Sequence, residues 1–183
     1  QIVERTALRN MPQDATDFPS GQEGHIIVAG FGRVGQTLGA VLDAERIPYV
    51  ALDLSADEVT AHRTEGHPVY YGNVTRRETL ERIGAAHAQA LVLTVDSDAD
   101  SESAVRIVRR HWPLLPIFAR ARDAAHARRL LELGATNVVP ETIESSLQLA
   151  ARVLEGVGTP AESAQTRIDR VRDAAQRAIR EPS

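Results

Sequence analysis

From residue 25 onward, short apolar runs alternate with longer stretches in which apolar and polar positions recur at helical spacing. Most of the apolar runs lack polar alternation, which is typical of strands buried on both faces of a parallel sheet. The pattern predicts strands at 25–30, 48–53, 68–71, 90–95, 116–120 and 137–139. It predicts helices at 33–46, 56–65, 75–84, 99–111, 123–133 and 141–156. This alternation predicts an α/β fold with a doubly wound parallel six-stranded sheet, in the strand order 3-2-1-4-5-6.

Two segments flank this alternating region. Residues 1–23 are polar and contain Pro12 and Pro19, so we predict a linker there, followed by one domain over 24–158. Residues 159–183 form a predicted C-terminal helical tail, with the apolar positions Ile168, Val171, Ala174, Ala175, Ala178 and Ile179 at helical spacing. This stripe is thin, and it leaves two interpretations open: an amphipathic helix that packs on a partner, or a frayed tail.

The first apolar run leads directly into a glycine motif, Gly30-Phe31-Gly32-Arg33-Val34-Gly35. In G-x-G-x-x-G, the first glycine permits a tight turn, the second lets a phosphate approach the backbone, and the third permits close packing of helix and sheet. The predicted helix directs free N–H groups and its positive dipole end at that phosphate. Asp53 ends the second strand at roughly the 20-residue spacing expected of the ribose-binding acid.

The motif, the strand, the helix and the acid together form the dinucleotide-binding fingerprint of a Rossmann-like fold. A carboxylate at Asp53 would accept hydrogen bonds from the ribose hydroxyls and repel a 2′-phosphate, which disfavours NADP. The alternative, a glycine-rich turn that binds nothing, would not account for this combination.

Composition narrows the function classes. A chain of 183 residues supports one well-formed core but not the second, substrate-binding domain of a dehydrogenase. The net charge of −4 gives no global attraction to nucleic acid or to an anionic membrane. Cysteine and lysine are both absent, which excludes thiol and lysine chemistry. No apolar run approaches the ~20 residues of a membrane span. The chain begins at Gln1, so we expect a piece of a longer protein.

Other polar clusters have weaker interpretations. None of the six histidines is spaced as a metal ligand, so no metal site is predicted. Asp96 follows the fourth strand and is a candidate ribose contact, whereas Asp98 and Asp100 are better interpreted as capping residues of the next helix. Arg120 and Arg122 end the fifth strand beside Asp123; a surface ion pair with a capping Asp123 competes there with a ligand or interface role.

Several motifs together resemble the regulatory RCK domain (also called KTN or TrkA-N) of Kef-type potassium/proton antiporters. The resemblance covers about 24–158 and rests on His25–Gly35, Asp53, Tyr70–Thr75, Arg120–Asp123 and Val139–Thr142. It implies a cytoplasmic module of a membrane antiporter, on the cytoplasmic face of the inner membrane. The membrane domain would lie upstream in the same polypeptide. The resemblance also implies a homodimer that binds AMP or a related adenine nucleotide, with NAD(H) as the alternative.

The resemblance and the glycine motif imply a set of nucleotide-binding residues. They are Gly30, Phe31, Gly32, Arg33, Val34, Gly35, Asp53, Leu54, Gly72, Asn73, Val74, Thr94, Asp96 and Arg120. Asn73 departs from the Gly-Asp that the family usually carries, so contacts on the adenine side are expected to differ. Ala40 stands where glutathione-gated members have arginine, which argues against glutathione sensing.

Two functions of different classes follow. The first is a nucleotide sensor without catalytic activity, whose dimer geometry gates ion transport. The second is a small NAD(H)-binding redox sensor or oxidoreductase, disfavoured because no acid–base candidate lies near the predicted crevice. We predict a dimer built from the region of helices 99–111 and 123–133, with the apolar residues Trp112, Leu114, Leu115, Leu130 and Leu131.

Overall fold

A computed structural model describes residues 18–181 of the chain. Its sheet has six strands: β1 (Ile26–Ala29), β2 (Tyr49–Asp53), β3 (Val69–Tyr71), β4 (Ala90–Leu93), β5 (Ile117–Ala121) and β6 (Asn137–Pro140). The strand order is β3-β2-β1-β4-β5-β6. Strand β1 pairs in parallel with both β2 and β4, and β2 pairs in parallel with β3. The predicted Rossmann-like fold and strand order are therefore confirmed.

Seven α-helices lie within residues 18–181, and all but the last follow a strand. They are α1 (Arg33–Ala44), α2 (Ala56–Thr64), α3 (Arg77–Arg82), α4 (Asp98–His111), α5 (Ala124–Leu133), α6 (Glu141–Gly156) and α7 (Ala161–Arg180). A single 3-10 turn, Ala85–His87, precedes β4. None of these helices combines the length and the apolar composition that a membrane span needs. The predicted linker falls mostly on residues 1–17, which lie outside the described part of the chain.

The chain divides into two compact units, the first ending at Ile117 and the second beginning at Phe118. In the first unit the central strands are buried on both faces: Ile27, Val28, Val50 and Leu91 are all 0% exposed. Strands covered by helices on both sides carry apolar residues at consecutive positions, which accounts for the unalternating runs in the sequence. Because β1, β2 and β3 are parallel, their carboxyl ends open at one edge of the sheet, where the candidate site lies.

In the second unit, helix α7 packs against α6 and α5 of the same chain. Its buried residues are Ala164, Ile168 and Ile179, while Val171 on the same helix is 54% exposed. Arg172 Nε donates to Glu144 Oε2 at 3.0 Å, which ties α7 to α6. The tail is therefore a formed amphipathic helix that covers its own neighbours, so the frayed-tail interpretation is wrong, while packing on a partner stays a prediction.

The start of α4 shows that the predicted capping role of Asp98 and Asp100 is wrong. Ser97 is the N-cap residue, and its hydroxyl accepts a hydrogen bond from Asp100 N at 3.2 Å. Asp98 and Asp100 lie inside the first turn instead, where their charges favour the positive end of the helix dipole. At the next helix the prediction is confirmed, since Asp123 accepts from His126 N and caps α5.

Candidate nucleotide-binding site

The glycine turn joins β1 to α1, and two of its glycines are required by the protein itself. Gly30 has φ +102°, a left-handed conformation that side chains rarely adopt, and a Cβ there would lie 2.9 Å from Val95 N. A Cβ on Gly35 would collide with the carbonyl oxygen of Gly30. These two glycines therefore permit the turn and let the helix start directly against it.

Gly32 is different. Its φ of −72° and ψ of −162° are extended values open to any residue. Apart from its chain neighbours, no described atom lies within 4 Å of the position of a Cβ on Gly32. Neither backbone conformation nor packing in the described residues requires glycine here. Because Gly32 has no side chain, an open space lies beside the backbone at the start of α1.

The start of α1 has the properties of an anion site. Gly32 is its N-cap and supplies no side-chain hydrogen bond, and the first turn contains no acidic residue. Helices α2, α4 and α5 are instead capped by Ser55, Ser97 and Asp123. The N–H groups of the first turn and the helix dipole thus favour a negative charge. Arg33 and Val34 lie at this end and are exposed.

Asp53, at the end of β2, is held in place by backbone donors. Its Oδ2 accepts from Phe31 N at 2.9 Å, and its Oδ1 accepts from Ser55 N at 2.9 Å. The carboxylate thereby ties the glycine turn to the loop that leads into α2. A carboxylate oxygen has two lone pairs, so each oxygen keeps one for a further donor such as a ribose hydroxyl.

Two of the predicted site residues bury their side chains in the core. Phe31 is 1% exposed and packs with Val28, Leu42 and Tyr49, so only its backbone faces the turn. Val74, beyond β3, is 5% exposed. Leu54 is 52% exposed beside Asp53 and is an apolar surface available to a ligand. For Phe31 and Val74, any ligand contact would therefore come from the main chain.

Thr94, after β4, supports the turn from the other side. It is 8% exposed, and its Oγ1 lies 2.6 Å from Gly30 O and 3.0 Å from Ala29 O. A hydroxyl has one proton to donate, so Thr94 is engaged in fixing the turn. Asp96 is exposed in the loop between β4 and α4.

At the end of β3, Gly72 and Asn73 are linked to Asp53. Gly72 N donates to Asp53 O at 3.0 Å, which joins the ends of β2 and β3. A Cβ on Gly72 would lie 2.8 Å from Leu52 Cδ2 and 2.9 Å from Thr79 Cγ2, so a side chain there would displace these neighbours. The Oδ1 of the half-buried Asn73 accepts from both the backbone and the hydroxyl of Thr75.

Arg120 belongs to the second unit and has an acidic partner within it. Its Nε lies 3.3 Å from Glu141 Oε1, at the start of α6. The carbonyl of Arg122 accepts from both N and Oγ1 of Thr142, at 3.1 and 2.6 Å. Arg120 therefore forms an ion pair with Glu141, whereas the pair with Asp123 that the sequence left as an alternative stays a prediction.

Sequence reasoning missed Ser55 and Gln36. Ser55 supplies a backbone donor to Asp53, and Gln36 Nε2 donates to Phe31 O at 3.0 Å, which closes the turn from the helix side. A signal for Ser55 exists in the sequence, because Ser55 and Glu58 have the S-x-x-E spacing of a helix start. Gln36 has no such signal, since its role depends on the path of the turn.

A family model for the TrkA-N domain matches residues 26–141, from β1 to the first residue of α6. The chain belongs to the TrkA-N domain family. That match spans the glycine turn, Asp53 and Asn73, so the TrkA-N domain contains the whole candidate site of the first unit.

Individual relatives agree with this membership. K(+) efflux antiporter 1, chloroplastic, of Arabidopsis thaliana is 43% identical over 150 residues, which are 82% of this chain and 13% of the antiporter. The C-terminal domain of Shewanella denitrificans Kef in AMP-bound form is 31% identical with a TM-score of 0.75, over 85% of this chain and 95% of that one. The GsuK channel bound to NAD is 28% identical with a TM-score of 0.69, over 82% of this chain and 27% of that one.

These similarities confirm the resemblance drawn from the sequence. The TrkA-N chain spans only a small part of its curated antiporter relative. The solved relatives include one described with AMP and one described with NAD.

Proposed function

We propose that this chain is a nucleotide-sensing regulatory domain of a monovalent cation/proton antiporter, without catalytic activity of its own. The observation that carries the proposal is the open space at Gly32. A glycine that the protein does not need, at an uncapped helix start, is accounted for by a phosphate that approaches the backbone there. We assign residues 24–158 to the nucleotide-binding domain, 1–23 to a linker and 159–183 to the helical extension.

The membrane-embedded transporter would be an upstream part of the same polypeptide, with this domain on the cytoplasmic face of the inner membrane. The similarity to antiporters much longer than the matched region supports this arrangement. Nucleotide binding would reorganise the glycine turn and the loops after β2 and β3, and the change in dimer geometry would gate ion transport. The domain requires no nucleic acid and no metal for this role.

The ligand we favour is AMP or a related adenine mononucleotide. The site in the first unit accounts for one nucleotide. The glycine turn and the start of α1 would bind its phosphate, Asp53 its ribose and Asn73 its base. Arg33 at the helix start is placed to add a charge-assisted bond to a terminal phosphate. The nicotinamide half of NAD would need further contacts to offset its ordering cost.

We therefore expect AMP to bind at least as tightly as NAD⁺ or NADH. Competition calorimetry with AMP, ADP, ATP, NAD⁺ and NADH measures the order of their affinities. A preference of more than tenfold for NAD⁺ or NADH over all three mononucleotides would contradict it. That result would favour the second candidate, an NAD(H)-binding redox sensor, which the NAD-bound GsuK channel supports by its likeness to this chain.

A regulator that changes dimer geometry needs a surface for a second copy. Of the residues predicted for it, Leu115 and Leu130 are buried within the protomer, whereas Leu114 is 93% exposed. The structure offers another surface on α6 and its C-cap residue, where Leu149, Val153 and Val157 follow at intervals of four and are 67%, 55% and 77% exposed. One apolar stripe can pair with its own copy across a two-fold axis. We propose this stripe of α6 as the centre of a homodimer.

The stripe gives a matched pair of variants. We expect Val153→Glu to convert the dimer into a monomer, because a carboxylate at the centre of an apolar interface is buried without a partner. Val171→Glu is the control, since Val171 on α7 is equally exposed, at 54% against 55% for Val153. Light scattering at ~100 μM, a concentration well above micromolar dissociation constants, gives the mass. A wild-type monomer at that concentration, or a dimer in both variants, would contradict the assignment.

A further inference from the structure

Asn73 lies where the base of a nucleotide would lie, if the proposed function is correct. The start of α1 after β1 would bind the phosphate, and Asp53 at the end of β2 the ribose. Phosphate, ribose and base are linked in that order, and strands β1, β2 and β3 lie side by side in the same order. Asn73 follows β3, and Gly72 N bonds to Asp53 O at 3.0 Å, so the two strand ends are adjacent. The base would therefore lie beside Asn73.

The orientation of the Asn73 amide is determined by Thr75. The backbone N–H of Thr75 lies 2.9 Å from Oδ1, and the Thr75 hydroxyl lies 2.7 Å from the same atom. A backbone N–H can only donate, so the atom it contacts must be the amide oxygen and not the amide nitrogen. Both lone pairs of Oδ1 are used by these two bonds. What Asn73 has left to offer a ligand is the Nδ2 group, which only donates.

From this polarity we infer that Asn73 recognises a purine as a hydrogen-bond donor, so that the site binds 6-oxopurine nucleotides as well as adenine nucleotides. The 6-amino group of adenine is a donor and cannot bond to Nδ2, whereas the 6-oxo group of hypoxanthine or guanine is an acceptor. The ring nitrogens of adenine remain available to Nδ2 as acceptors. An aspartate at residue 73 would keep one oxygen on Thr75 and present the other as an acceptor, which matches the 6-amino group.

The test compares AMP with IMP. At the purine 6-position, AMP has an amino donor and IMP an oxo acceptor, and at N1 AMP accepts whereas IMP donates. Their dissociation constants are measured by calorimetry for the wild-type chain and for Asn73→Asp. The added charge repels both phosphates alike, so the ratio of the two constants isolates the base. We expect IMP to bind the wild type within roughly threefold of AMP or more tightly. We expect Asn73→Asp to shift the ratio roughly tenfold towards AMP.

Asn137→Asp is the matched control, because it introduces the same charge at an exposed residue of the second unit and should leave the ratio unchanged. Thermal melting without nucleotide should be similar for wild type and Asn73→Asp, since aspartate also accepts from Thr75. If AMP and IMP bind but the ratio stays the same in Asn73→Asp, or the wild type excludes IMP, the role of Asn73 is wrong while nucleotide sensing stands. If neither nucleotide binds the wild type, the proposed function and the inference both fail.

Discussion

Replacing Gly32 by valine is expected to lower nucleotide affinity by at least about 100-fold, because two or more charge-assisted bonds to phosphate are lost. The valine side chain would occupy the open space where the phosphate and the backbone must touch. The free protein accommodates it, since the backbone is extended and no described atom beyond the chain neighbours lies within 4 Å of a Cβ there. Calorimetry with AMP gives the affinity.

A second glycine provides the control for this variant. Gly156, at the end of α6, also has nothing within 4 Å of a Cβ and has no positive φ. Gly156→Val adds the same side chain to a residue of the second unit that is not assigned to the nucleotide site, and should bind AMP as the wild type does. Melting temperatures should show that Gly32→Val is folded, with a decrease of no more than about 4 °C. If folded Gly32→Val binds AMP with unchanged affinity, the phosphate does not bind at the glycine turn.

Replacing Asp53 by alanine is expected to weaken AMP binding roughly 10- to 150-fold, since hydrogen bonds to a charged group contribute about 1.5–3 kcal/mol. The structure adds a second consequence. The N–H groups of Phe31 and Ser55 lose their acceptor, so the glycine turn loosens and the melting temperature falls. The affinity that Asp53→Ala loses therefore has two contributions, the lost contact to the ribose and the loosened glycine turn.

The ligand separates the two effects. AMP and its 2′,3′-dideoxy analogue differ only in the hydroxyl groups that Asp53 would accept from. The wild type should prefer AMP by roughly tenfold or more, and Asp53→Ala should lose most of that preference. A preference for AMP that is equally large in both proteins would show that Asp53 acts only on the turn.

The parallel sheet and the location of the candidate site were predicted from local pattern. Buried parallel strands need consecutive apolar residues, and a glycine motif between a strand and a helix, with an acid at the next strand end, is typical of a nucleotide-binding turn. Helices with clear ends were predicted closely, such as α6 at Glu141–Gly156. Helix α1 was predicted two residues too long, because it ends at Ala44, shortly before Arg46 takes a positive φ of 57°.

Side-chain roles that depend on a second segment were not available to sequence reasoning. Thr94 is 64 positions from Gly30, and its hydroxyl donates to the carbonyl of Gly30. The residues adjacent to either position in the sequence do not indicate this contact. The tail was predicted as a partner-binding or frayed helix because its stripe is thin. The tertiary structure places Ile168 and Ile179 against helices of the same unit, so a thin stripe suffices.

By itself, the sequence determined the order of strands and helices, the glycine turn and the acid at the end of β2, since each depends on neighbouring residues and their periodicity. Only the tertiary structure decided which of these groups remain available to a ligand. It engages the hydroxyl of Thr94, buries Phe31 and Val74, and occupies the Oδ1 of Asn73 with two hydrogen bonds from Thr75. Hydrogen-bonding capacity is finite, and how much of it remains depends on contacts that the folded chain makes.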